Sequence, residues 1–223
     1  MRMETKAEKK DINVWRRAVL DGLAEQHPDA APELDFTSPY ELLIATILSA
    51  QCTDKQVNKV TPALFRAYPT PADLAKADPA EIEPYIRSCG FYHNKAANIV
   101  SACRDIAERF GGEVPSTREG LESLAGVGRK TASVVLSNAF GVPAIAVDTH
   151  VFRVSNRIGL AEARNVEETE KQLMEAIPQE EWSIAHHWLI FHGRRVCSAK
   201  KPACADCMIK DLCRYHKESE GDK

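Results

Sequence analysis

Apolar residues along the chain recur at three- and four-residue spacing and almost nowhere alternate. The stretch AANIVSACRDIAERF (residues 96–110) shows the pattern. Ile99, Cys103, Ile106 and Phe110 fall on one face of a 3.6-residue helix. Helix starts follow a shared grammar. Ser38-Pro-Tyr-Glu41 reads as a capping box with proline in the first turn, leading into YELLIATILSA (40–50). Thr53-x-x-Gln56, Asp78-Pro-x-Glu81, Ser116-x-x-Glu119 and Asn165-x-x-Glu168 repeat it. Gly90, Gly111, Gly141 and Gly159 stand where helix C-caps belong. VPAIAVD (142–148) is the one segment that reads as extended. The spacing predicts about nine or ten short helices and an all-α fold.

The 223 residues, with 44% hydrophobic and 27% charged positions, suit a globular protein of one large or two small domains. No apolar run approaches the roughly 20 residues of a membrane span. The charged start MRMETKAEKKDINVWRR has no apolar core of a secretory signal, so an intracellular location is expected. Net charge is only −3, but it is unevenly spread. Residues 143–193 hold four Lys/Arg against eight Asp/Glu, whereas 194–223 hold eight against five. The C-terminal stretch is a basic island, and salt screening makes local charge count for more than the sum.

Seven cysteines without a signal argue against a disulfide framework. Cys52, Cys89 and Cys103 are scattered. The other four follow Cys197-x6-Cys204-x2-Cys207-x5-Cys213, close enough for thiolates around Zn²⁺ or an iron–sulfur cluster. Structural zinc usually takes paired Cys-x2-Cys hooks, and only one pair is present. The uneven spacing favours a [4Fe–4S] cluster and leaves zinc open. Lys200 and Lys201 lie in the first gap, with Arg194 and Arg195 upstream. Some of these cations offset cluster charge; the rest suit phosphates held by a pinned loop.

LESLAGVGRKTASVVL (121–136) joins two helical stretches through Gly126 and Gly128, with Arg129 and Lys130 next. Glycines let the backbone turn tightly and bring free N–H groups to an anion. A plain helix–helix turn looks similar. A cationic pair in a first helical turn is poor for stability, since dipole and neighbour both oppose the charge. The same opposition favours a neutral Lys130 amine, a nucleophile that forms Schiff bases. The alternative is an exposed lysine that only binds phosphate. In AVDTHVFRV, Asp148 precedes a helix and reads as an N-cap. A carboxylate so held also stays ionised and can stabilise a cationic transition state.

In this order, LLIATILSAQCTDKQVNKV, GFYHNKAANI, LAGVGRKTASVV, AVDTHVFRVSNR, HHWLIFHGR and the cysteine tail resemble the endonuclease III family of DNA glycosylases, over about residues 38–213. The resemblance implies two helical domains flanking a DNA-binding cleft: 32–142, with the helix–hairpin–helix, and 11–31 joined to 143–223, with a [4Fe–4S] cluster on Cys197, Cys204, Cys207 and Cys213. It implies Lys130 as the Schiff-base nucleophile and Asp148 as the catalytic carboxylate. Gln51 matches the residue that fills the gap left by a flipped base, and Phe91 the apolar wedge. Gly126, Gly128, Arg129, Lys200 and Lys201 are expected to contact DNA. The implied protein is a cytoplasmic, nucleoid-associated monomer. It takes oxidised pyrimidines from double-stranded DNA and cleaves the abasic site by β-elimination.

Three positions depart from the family pattern. Phe91 replaces the usual leucine. Ala125 replaces the usual proline, which loosens the hairpin by roughly 0.4–1 kcal/mol. Cys52 stands where a small residue is usual and reads as a buried hydrophobe. A thymine-mismatch or alkyl-base glycosylase of the same fold is the nearest alternative. A non-catalytic cluster-bearing DNA-binding protein is a remoter one, since it needs neither Lys130 nor Asp148.

Overall fold

The computed structural model describes residues 6–221. It divides into two compact units, one spanning Pro32–Ala144 and one joining the N-terminal residues through Ala31 to Ile145 onward. All regular structure among the described residues is helical, as the spacing predicts. None of these helices is long and apolar enough to cross a membrane.

The central unit holds α2 (Pro39–Leu48), α3 (Asp54–Ala67), α4 (Pro71–Ala75), α5 (Pro79–Ile86), α6 (Tyr92–Arg109), α7 (Arg118–Glu122) and α8 (Arg129–Phe140). The other holds α1 (Lys6–Gln26), α9 (Thr149–Ile158), α10 (Val166–Ala176), α11 (Trp182–Arg195) and α12 (Arg214–Gly221). The described residues hold twelve α-helices, above the nine or ten expected from the sequence; five-residue α4 is too brief to show a period. VPAIAVD pairs into no sheet; its Ala144–Val147 stretch is buried.

Local chemistry sets most boundaries. Ser38 Oγ accepts from the Glu41 N–H, and Asn165 caps α10 in the same way. Asp78 and Glu81 form a reciprocal box. Of the expected boxes only this one closes: Glu41 and Glu168 instead accept from the N–H of the residue before the cap, Thr37 at 2.6 Å and Arg164 at 3.0 Å. The other two differ further. α7 is capped by Thr117 rather than Ser116, one residue later, because two adjacent hydroxyl residues offer the same bond. Thr53 caps α3, but the Gln56 side chain donates to Ser88 Oγ at 2.7 Å instead of closing the box. Thr70 and Asp73 form a further box, on α4. The four expected glycines all take positive φ near helix ends.

α2 is apolar on every side and forms the middle of the central unit. Leu42, Leu43, Ile44 and Leu48 are fully buried, each contributing about 1.5–3 kcal/mol over exposure. Around them pack Ile99 and Ile106 of α6 and Val135 of α8. The second core joins Val19, Leu20 and Leu23 of α1 to Val151, Val154 and Ile158 of α9 and Leu189 of α11. α1 also braces the cysteine-rich segment. Trp15 Nε1 donates to Leu212 O, and Gln26 bonds Asp206 O and the Met208 N–H.

Candidate active site and cluster loop

In the central unit, α6 organises three pieces along one face. Phe91 is its N-cap residue, and Lys95 and Asn98 follow on successive turns. Phe91 is 64% exposed for so large an apolar side chain, with φ +46° and no side-chain cap bond. Gln51, exposed beyond the end of α2, has φ +53°. These are the two non-glycine residues with positive φ among the described residues. Such conformations cost about 1–3 kcal/mol and gather at functional sites. Asn98 packs under the hairpin: a Cβ on Gly126 would lie 3.0 Å from Asn98 Cβ, and Gly126 has φ +77°.

Gly126 and Gly128 differ in what they do. Gly128 caps α8 in an extended conformation, without a side-chain bond to the first-turn N–H groups. A Cβ there would meet nothing within 4 Å. Between them Val127 is buried and fixes the turn to the core, and Arg118 ties α7 to α8 through Ser133 Oγ at 3.1 Å. Arg129 and Lys130 follow, both exposed. The result is an open helix N-terminus with two cations beside it. Cys52 is half-buried against the core, less enclosed than its sequence context implies.

In the other unit, Asp148 is the N-cap of α9. Its Oδ1 accepts from the His150 and Val151 N–H groups, both at 2.8 Å. Neither bond uses Oδ2. The same helix reaches the cysteine-rich loop. Arg153 donates to Gly193 O at 2.9 Å and Cys197 O at 3.1 Å. Arg157 donates to Ser198 O and Ala199 O, both at 2.8 Å, and to Cys197 Sγ at 3.4 Å. Sequence reasoning assigns these arginines no role. Their i, i+4 spacing on the polar side of a strongly amphipathic helix is the signal that could have found them.

The four clustered cysteines line one apolar cavity with Ile158, Val196 and Ile209. Among the described residues no group of His, Cys, Asp or Glu is arranged around a single metal ion. The thiols are spread about a common space instead. Burial first pushes the Cys207 thiol up to about 11, so a ligated metal centre would displace a proton there. Lys200 and Lys201 are exposed on the loop. Arg195, which the sequence groups with them, is already committed: its guanidinium forks onto both oxygens of Asp29 at 2.7 and 2.8 Å.

An open helix–hairpin–helix start, an exposed lysine and a helix-capping aspartate define the class: helix–hairpin–helix proteins of base excision DNA repair. Residues 44–179 match the model of the HhH-GPD superfamily base excision DNA repair proteins. Endonuclease III of Haemophilus influenzae is 50% identical over 205 residues, 92% of this chain and 97% of the relative. A trapped endonuclease III–DNA covalent intermediate is 51% identical with a TM-score of 0.88, covering 98% of this chain and all of the other. A thermostable thymine-DNA glycosylase is 27% identical with a TM-score of 0.83, over 96% of this chain and all of the other. The chain belongs to the endonuclease III family.

Proposed function

We infer that the protein is a bifunctional DNA glycosylase and abasic-site lyase of base excision repair, acting on oxidised pyrimidines. The observation that carries this is Lys130, exposed in the first turn of α8 beside a cap with no side-chain bond. It occurs in a chain half identical, almost end to end, to an endonuclease III. The covalent DNA intermediate of a relative supports a covalent route. The wider margin to the thymine-DNA glycosylase favours the endonuclease III chemistry over the mismatch alternative.

The base is flipped from the stack, at a cost lower for a damaged, poorly stacked base. Lys130 Nζ attacks C1′, a C1′–N bond forms, and the bond to the base breaks. The base leaves with the electron pair and takes up a proton. Of the two protons on the alkylated nitrogen, one goes to the departing base and the other to O4′ as the C1′–O4′ bond breaks, which opens the sugar ring and leaves an imine. Removal of a C2′ proton then expels the 3′ phosphate. Asp148, fixed by two backbone bonds, stabilises positive charge at the sugar and accepts protons. The α8 N-terminus, Gly126, Gly128 and Arg129 hold a backbone phosphate. Gln51 fills the vacated stack and Phe91 wedges beside it.

Cys197, Cys204, Cys207 and Cys213 would hold a [4Fe–4S] cluster. Their spread about one cavity supports a four-cornered group, and Arg157 beside Cys197 Sγ suits the negative charge of ligated thiolates. When bound, the cluster supplies a cross-brace between the loops. Lys200 and Lys201 are thereby presented to phosphates.

Asp148→Asn tests this reading. Asparagine still caps α9, so folding and duplex binding should persist. Release of thymine glycol should fall about 10²-fold or more, while cleavage of a preformed abasic site suffers less because no base has to leave. Wild-type base release in this variant would remove Asp148 from the reaction.

A further inference from the structure

Lys95 is 5% exposed. Buried lysines normally find a carboxylate. Here Nζ donates to two backbone carbonyls, Leu48 O and Cys89 O, each at 2.8 Å. The titratable groups acting on it are the thiols of Cys52 and Cys89. Leu48 is the last residue of α2, and Cys89 ends the tight turn Arg87–Cys89. Carbonyls at helix ends lack partners within the helix and carry the negative end of its dipole. One ammonium therefore clamps two chain ends, beside the Gln56–Ser88 hydrogen bond that also joins the two segments.

Each clamped end leads into one of the two strained residues. Gln51 lies three residues beyond Leu48, and Phe91 two beyond Cys89. Both have positive φ without being glycine. Conformations of that kind persist only where the surroundings hold them. The Lys95 N–H also donates to Phe91 O at 3.1 Å. We propose that Lys95 is a positioning residue for base extrusion, a single buried cation that holds both Gln51 and Phe91 ready before DNA arrives. This rests on the glycosylase reading, in which those two side chains enter the duplex. Pre-setting both segments means that their ordering is not charged against DNA binding. Being buried, Lys95 neutralises no phosphate.

The test compares wild type with Lys95→Met, which keeps the stem without the charge, and Lys95→Gln, which keeps a donor. The salt dependence of binding to undamaged duplex should be unchanged in both, since no phosphate contact is lost. Single-turnover release of thymine glycol should fall about tenfold or more in Lys95→Met. The fluorescence rise of 2-aminopurine placed opposite the lesion should fall with it. Cleavage of a preformed abasic site should stay near wild type, and Lys95→Gln should recover part of the loss. Equal losses on both substrates, a changed salt slope, a wild-type fluorescence rise, or a Lys95→Met chain that does not fold would each overturn the proposal. If wild-type protein neither released thymine glycol nor cut abasic DNA, the glycosylase reading would fail. Faster amide exchange at Cys52 and at position 95 in Lys95→Met would still uphold the clamp, and unchanged exchange would refute it.

Discussion

Gly126 and Gly128 offer a direct separation of folding from DNA contact. Gly126→Ala forces an L side chain to φ +77° and sets its Cβ 3.0 Å from Asn98 Cβ. The left-handed backbone costs about 1–2 kcal/mol, and the contact adds roughly 1–2 kcal/mol of overpacking. A total near 2–4 kcal/mol should lower the apparent melting temperature by about 4–16 °C for a chain of this size. Gly128→Ala meets neither obstacle, because φ is −99° and the space is open. Restricting the unfolded chain gains about 0.4–1 kcal/mol, while alanine is the poorer N-cap by a similar amount. Its stability should stay within about 1 kcal/mol of wild type. Under the proposed function the added methyl instead stands where a phosphate would approach the first-turn N–H groups. Losing one charge-assisted hydrogen bond of about 1.5–3 kcal/mol weakens duplex binding roughly ten- to hundredfold. Chemical denaturation and fluorescence-anisotropy titration of both variants suffice. A Gly128→Ala protein that binds DNA as wild type does, or loses as much stability as Gly126→Ala, would refute this division of labour.

Replacing Lys200 and Lys201 together with glutamate should weaken binding to all duplexes alike. The log–log salt slope should flatten by up to about 1.8, as each lost phosphate contact removes about 0.9; an unchanged slope would take the loop off the DNA. Purified protein should be brown and carry about four irons per chain, measured by elemental analysis; colourless protein with one stoichiometric zinc would contradict the cluster assignment.

Legibility in the sequence depends on range. Caps such as Ser38, Asp78 and Asn165 are readable because donor and acceptor lie two or three residues apart. Gly126 is readable because the positive φ it supplies is a local demand, whereas Gly128 takes an extended conformation open to any residue. Thr117 displaces Ser116 because adjacent hydroxyls compete on geometry that no residue pattern resolves. Lys95 is hidden inside GFYHNKAANI, since its partners are backbone carbonyls, which carry no residue signature, and one lies 47 positions away. Arg195 escapes a sequence reading for a related reason: Asp29, 166 positions distant, takes its charge. Arg153 and Arg157 stand in plain view as surface cations of α9 and become meaningful only when the cysteine loop folds against them.

The central claim is that Lys130 is the nucleophile. Borohydride reduction during reaction tests it, because the imine between Lys130 and C1′ becomes an irreversible cross-link. Wild-type protein should be trapped on duplexes carrying thymine glycol or an abasic site. Lys130→Gln, which keeps length and helix propensity but has no nucleophilic amine, should bind the same DNA, form no adduct and leave the strand uncut. A Lys130→Gln protein that is still trapped would move the nucleophile to another residue and contradict the mechanism.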